Sequence, residues 1–352
     1  MALAGSLSLL GGCGGQGAGK SEVSQSPGPM ETFKAMAEAI RTNGATPTTG
    51  GIYTYLHGVD DRARLAFVST VENQTQICTI RPDGTELKVI TTGEGYKSRP
   101  VWSVDHKKIA FFQYASDHPQ EDKVNVMVMD ADGGNSKAAL AHRSIDCKKT
   151  RICWSMDAGR LYVQEKDFPS VLFGYAVADG QQVDTVRIPK TSFLKEVQTL
   201  SPDAALIAGV GPDPKTGFQH MGAVKVSGGS DLDFMKYFMQ KTSLHLGTVV
   251  WSYDSSLVAY EMDSAVIIMS SSYTAVPKFR FYGLNPLELE SAYTSPAFSP
   301  EGQYIACILE KTKEGTVGTG DREVKSDLWV MNIDGSKPRQ LTNTGSNFDP
   351  TW

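Results

Sequence analysis

Long apolar runs are what this 352-residue chain most plainly lacks. No segment reaches the roughly 18 to 20 apolar residues that a bilayer-spanning helix needs. Excess basic charge is missing too: 34 Lys and Arg stand against 39 Asp and Glu, for a net charge of -5. That balance leaves no electrostatic footprint for nucleic acid, which needs a basic face. Five cysteines do not make a disulfide framework. The chain also has no Gly-x-Ser-x-Gly elbow, no His-Glu-x-x-His and no Cys/His cluster at metal-ligand spacing. Its six His (57, 106, 118, 142, 220 and 245) are scattered. The expectation is a non-enzymatic protein with no cofactor and no metal centre.

What is present is repetition. An aromatic or apolar residue, a Ser, any residue and an acidic residue precede a short turn and an apolar strand. The fragment reads Trp102-Ser103-Val104-Asp105, Trp154-Ser155-Met156-Asp157 and Leu200-Ser201-Pro202-Asp203. It returns as Trp251-Ser252-Tyr253-Asp254 and Phe298-Ser299-Pro300-Glu301. A period of roughly 50 residues with strand-like runs describes blades arranged in a closed array. Each unit reads as four strands, with the inner strand ending in the aromatic-Ser pair. Acidic-Gly or Gly-rich turns follow the third strands at Asp83-Gly84, Asp132-Gly133, Asp179-Gly180, Gly228-Gly229 and Asp334-Gly335. Such turns need positive φ, which makes Asp-Gly a strong hairpin signal. The fifth unit lacks the dipeptide and is expected to turn near Ser270 to Tyr273.

Two stretches carry a family resemblance: Ile77 to Thr91, around Arg81-Pro82-Asp83-Gly84, and Leu328 to Ser336, followed by Arg339-Gln340-Leu341-Thr342. They resemble the TolB-type propeller repeat, also called the PD40 or WD40-like repeat, and the likeness covers most of residues 60 to 352. It implies an all-β, six-bladed β-propeller. It does not imply membership of the Tol system, because the family's namesake carries an α/β domain before its propeller.

Closure follows from the two ends of the repeat. The first unit, from Leu65-Ala66-Phe67-Val68, has no aromatic-Ser strand before it. The last residues, Asn347-Phe348-Asp349-Pro350-Thr351-Trp352, match the inner-strand lead-in Arg99-Pro100-Val101-Trp102. The C-terminal strand is expected to become the inner strand of blade 1, which removes open edges. The recurring Asp105, Asp157, Asp203 and Asp254 invite a metal reading. A short carboxylate accepting turn N–H bonds explains them more simply. The aromatics at 102, 154, 251 and 352 are read as core.

The amino-terminal region divides into residues 1–29, a signal-like tether, and 30–50, a short helix and linker, ahead of the propeller at 51–352. Leu10-Gly11-Gly12-Cys13 follows a short apolar run and resembles the lipobox of bacterial lipoproteins, which implies lipidation at Cys13. The alternative is a flexible Gly-rich tail. Gly14 to Ser21 matches the P-loop pattern, but Pro27-Gly28-Pro29 forbids the long helix that a phosphate cradle requires. Residues 30–42 are expected to be helical: Met30, Phe33, Met36 or Ala37, and Ile40 share one face, expected to pack beneath the propeller, or alternatively to lie on a membrane. A lipid-tethered protein would sit at the cell envelope; an unprocessed one would be cytoplasmic.

The candidate binding site lies three residues before each lead residue. There stand Arg99, Arg151, Val197, Thr248, Ser295 and Asp349, expected to begin the inner strands and ring one channel mouth. Two Arg flanked by Asp349 suit a peptide carboxylate or an acidic segment; the alternative is a solvated loop surface. The expected partner is a protein or peptide, bound by a monomer at the channel mouth and loops. The competing readings are a glycan lyase, for which His57, His245 and Glu196 would have to converge, and a cytosolic scaffold. Cys147 and Cys153 are either paired or buried free thiols. The Gly-rich, charged insertion Lys311 to Ser326 is expected to lengthen the second-to-third-strand hairpin of blade 6, either as a contact arm or as a mobile loop.

Overall fold

The computed structural model describes residues 64–352, except 72, 116–122, 148, 236–245, 263–264, 272–276, 283–290 and 314–322. The Cys13 motif, the P-loop-like run, the 30–42 helix, His57, His118 and His245 lie outside the described residues, as do the centre of the 311–326 insertion and most of the turn expected after Ser270.

Six four-stranded antiparallel sheets form the propeller. Blade 1 holds β1 (Leu65–Val71), β2 (Gln74–Ile80) and β3 (Lys88–Val89), with β24 (Asn347–Thr351) as its inner strand. Blade 2 is β4 (Tyr96–Trp102), β5 (Lys108–Tyr114), β6 (Val124–Asp130) and β7 (Lys137–Arg143). Blade 3 is β8 (Cys153–Trp154), β9 (Arg160–Val163), β10 (Val171–Ala176) and β11 (Gln182–Arg187). Blade 4 is β12 (Glu196–Leu200), β13 (Leu206–Pro212), β14 (Gln219–Lys225) and β15 (Leu232–Asp233). Blade 5 is β16 (Leu246–Trp251), β17 (Leu257–Met262), β18 (Ala265–Ser270) and β19 (Pro277–Tyr282). Blade 6 is β20 (Ser291–Phe298), β21 (Tyr304–Lys313), β22 (Glu323–Asn332) and β23 (Arg339–Gln340).

Burial explains this order. The second strands are apolar on both faces because each is covered by two neighbouring blades; β17, for example, is buried from Val258 to Met262. Outermost strands are short or polar, as in β3 and β23, which are exposed throughout. Between blades lie separate apolar seams. Phe112, Val126, Trp154 and Tyr175 fill the seam between blades 2 and 3. The Gly residues of the expected hairpin turns take positive φ, 85° at Gly84 and 81° at Gly335.

The closure is formed as expected. β24 pairs with β1 at Ala66↔Thr351, Val68↔Phe348 and Ser69↔Asn347. Trp352 is 2% exposed and packs with Leu65 and Phe67 of blade 1 and with Tyr304, Ile308 and Leu328 of blade 6. Burying an indole of 150–250 Å² contributes about 4–6 kcal/mol. Asn347, also buried, donates from Nδ2 to Asp327 Oδ1 at 3.0 Å and to Thr342 Oγ1 at 3.0 Å. The chain end is thus fixed by polar bonds as well as by packing.

The repeated turn is a self-contained unit. Ser103 Oγ donates to Asp105 Oδ1 at 2.7 Å and accepts from the Lys108 amide at 3.0 Å. Blades 4 and 5 repeat this: Ser201 to Asp203 and Ser252 to Asp254 are both 2.6 Å. The residue after the acid is left-handed in every case: His106, Ala158, Ala204, Ser255 and Gly302 have φ between 52° and 66°. These Asp residues are turn acceptors.

Candidate functional site in the channel

Six inner strands surround the axis, and five of them share one irregularity. β4, β12, β16, β20 and β24 each slip in register against the neighbouring strand. A bulge of this kind bends a strand and re-aims a side chain. Three bulges centre on Arg99, Ser295 and Asp349, whose φ values are 49°, 50° and 46°. Each precedes a proline (Pro100, Pro296, Pro350), where the helical regions are already disfavoured. Left-handed backbone at a non-Gly residue costs about 1–3 kcal/mol and clusters at functional positions.

Six residues were expected to begin the inner strands. Arg99, Ser295 and Asp349 instead sit within β4, β20 and β24, and Thr248 is the third residue of β16. Val197 is second in β12, and Arg151 precedes the two-residue β8. The expected placement assumed uniform inner strands; Arg99, Ser295 and Asp349 lie mid-strand at their bulges, while Arg151 and Val197 stay near the start of theirs.

Two cavities follow the axis, and Arg99 and Arg151 line both. One, of about 130 Å³, is lined by Trp102, Trp154, Trp251, Phe298 and Trp352 together with the three bulge prolines. The indole N–H groups of Trp102 and Trp251 are buried there without a partner. The other, of about 360 Å³, is polar and includes Lys149, Gln198, Thr248, Glu261, Ser295 and Glu310. The two Arg therefore mark a waist between an aromatic and a polar chamber. Asp349 lines neither chamber; its Oδ2 accepts the Arg99 amide at 3.1 Å.

The electrostatics of the waist are unusual. Burial, reinforced by the like charge of Arg99, pulls the Arg151 guanidinium down to about 10 against the opposing attraction of Asp349 and Glu261. Glu261 is 7% exposed, and burial raises its carboxyl above the usual range. The Ser295 amide donates to Glu261 Oε1, and that bond, with the charge of Arg151, opposes the rise. Gly247 makes room for this acid: a Cβ there would lie 1.9 Å from Glu261 Oε2 and 2.8 Å from its Cβ. Glu261 escaped the sequence reading, although a lone acid inside the apolar run Leu257 to Met262 is a visible signal.

Other candidates fall away from the channel. Glu196 lines neither chamber. Cys147 and Cys153 are buried free thiols, and burial pushes Cys147 up to about 12. Among the described residues, Asp213, His220 and Asp233 form a group with metal-ligating atoms at the outer part of blade 4. His220 Nδ1 is 3.1 Å from both Asp233 oxygens, so the carboxylate already orients the ring.

No protein-family model matches this sequence, and no curated protein matches it. Among solved structures it is similar to TolB from Acinetobacter baumannii, with a TM-score of 0.58 at 18% identity over 86% of this chain and 69% of that one. It is also similar to a putative TolB from Agrobacterium tumefaciens, with a TM-score of 0.51 at 11% identity over 81% of this chain and 91% of that one. At these identities the likeness concerns the fold, a TolB-like six-bladed propeller.

Proposed function

We propose that this protein is a non-enzymatic, cell-envelope propeller that binds a protein or peptide segment through its central channel. The observation that carries this reading is the two-chamber channel with Arg99 and Arg151 at its waist. Aromatic walls with free indole donors suit apolar side chains and backbone carbonyls; the polar chamber suits charged groups. Its cations Arg99, Lys149 and Arg151 outnumber the acids Glu261 and Glu310. An acidic or chain-terminal segment complements it.

A lyase needs an acid–base pair converging on one spot. Of the residues that would have to converge for it, Glu196 lines neither chamber and His57 and His245 lie outside the described residues; the excess of cations over acids in the polar chamber favours binding. Co-purification from a solubilised envelope fraction tests it. The wild type is expected to retain a partner that folded Arg99→Glu/Arg151→Glu protein loses; equal retention would contradict the channel reading. The tether at Cys13 is tested separately by detergent-phase partitioning. The expected result is wild type in the detergent phase and Cys13→Ala in the aqueous phase, and both in the aqueous phase would remove the anchor.

A further inference from the structure

We propose that Arg151 anchors the carboxylate at the free C-terminus of a bound peptide. The proposal rests on the channel-binding reading and specifies the group that is recognised. Two side-chain nitrogens of Arg151, Nε and Nη2, are buried without any hydrogen-bond partner. They form one edge of the guanidinium, with parallel N–H bonds at the spacing of a carboxylate's two oxygens. Asp349 and Glu261 attract the group, yet neither forms an ion pair with it. Nε and Nη2 are shut off from water although the Arg151 side chain as a whole is only half-buried, and donors left in that state are costly to a fold, so their persistence points to a counter-ion brought by a ligand.

A second unpaired atom fixes the kind of carboxylate. The side-chain carbonyl oxygen of Gln198 is also buried without a partner and lines the same chamber as Arg151. Two donors with an acceptor in the lining of the same chamber match a chain end, where the last amide N–H lies beside the terminal carboxylate. An internal Asp or Glu carries its carboxylate farther from the backbone N–H. Chamber sizes agree: at about 360 Å³ the polar side falls in the range of ligand pockets, roughly 300–1,000 Å³, while the aromatic side is only about 130 Å³. The chain enters from the polar side and ends at the waist. Because the Arg151 edge is shut off from water, the arriving carboxylate must draw the guanidinium toward the chamber, and the two new bonds drive that movement.

The test uses three pools of N-acetylated hexapeptides on immobilised full-length protein: randomised free acids, the same sequences as C-terminal carboxamides, and carboxamides with one internal Glu. Retained peptides are quantified by mass spectrometry. Wild type is expected to retain free acids at least tenfold better than either amide pool. Arg151→Lys keeps the charge and loses the fork; Arg151→Met loses both. Each should reduce free-acid retention to the amide level while melting within a few degrees of wild type. Equal retention of acids and carboxamides by wild type overturns the anchor; if Arg99→Glu/Arg151→Glu abolishes that retention, the channel reading survives alone. Internal-Glu carboxamides retained as well as free acids overturn the chain-end assignment. Retention of none of the pools by wild type overturns both.

Discussion

The waist position of an inner strand and the turn that begins four residues later, as from Arg99 to Ser103, are built on opposite rules. At the turn, Ser-x-Asp closes on itself: hydroxyl, carboxylate and amides find one another within five residues, and the arrangement recurs from blade to blade. At the waist, no two neighbouring blades agree except blades 2 and 3, where Arg99 and Arg151 sit side by side. There the backbone is left-handed at three non-Gly positions, a buried acid is seated over a glycine, and donors are left unpaired. Positions that repeat serve the fold, and positions that break the repeat are where a ligand is recognised. Left-handed turn residues such as Ala158 also carry strain, so strain alone does not distinguish the regions; the recurring Ser-x-Asp hydrogen bonds do.

The largest effect expected is on closure. Removing residues 347–352 deletes β24, the Trp352 seam and the Asn347 bonds together. The loss is about 4–6 kcal/mol from the indole alone, against a typical domain stability of about 5–15 kcal/mol. Calorimetry should show no cooperative transition, and a truncated protein that melts as hot as the intact one would break the closure. Next is Gly247→Ala, which drives a methyl into Glu261 and should cost about 1–3 kcal/mol by denaturant titration. A neutral result would mean that the Glu261 seat is loose.

Smaller effects separate the two regions by pH. Asp157 is held below its usual range first by the Ser155 hydroxyl and then by the Gly159 amide. Asp157→Ala should cost about 0.5–1 kcal/mol at neutral pH. A depressed carboxyl stabilises above the unfolded pKa and loses that contribution as pH falls, so the deficit should vanish in acid. Glu261 has the opposite sign. Its raised carboxyl favours the fold when protonated, and the wild type loses that advantage as pH rises from about 4.5 through the folded pKa. The melting temperature of Glu261→Gln relative to wild type should therefore climb between pH 4 and pH 8, and a flat difference would show that the acid is not strained by burial.

Blade number, turn chemistry and closure were legible in the sequence because each is a local pattern repeated several times: an Asp-Gly dipeptide, a Ser-x-Asp turn, a terminal Trp matching other lead residues. The ring of six positions was legible as a spacing. Its depth in the channel was not, because the bulges that place it arise from pairing between strands. Arg99-Pro100, Ser295-Pro296 and Asp349-Pro350 did carry a hint, since proline inside a strand marks a bulge. Glu261 was hidden for a different reason: its role depends on Gly247 across the sheet and on Ser295 in the next blade.

The most direct measurement is a side-by-side thermal melt of Arg151→Met and Asp157→Ala without ligand at neutral pH. If the waist is kept for a ligand and the turn for the fold, replacing the unpaired Arg151 should leave the melting temperature unchanged or raise it by about 2–4 °C, while Asp157→Ala lowers it. The reverse ranking, with Arg151→Met the more damaging, would contradict the account.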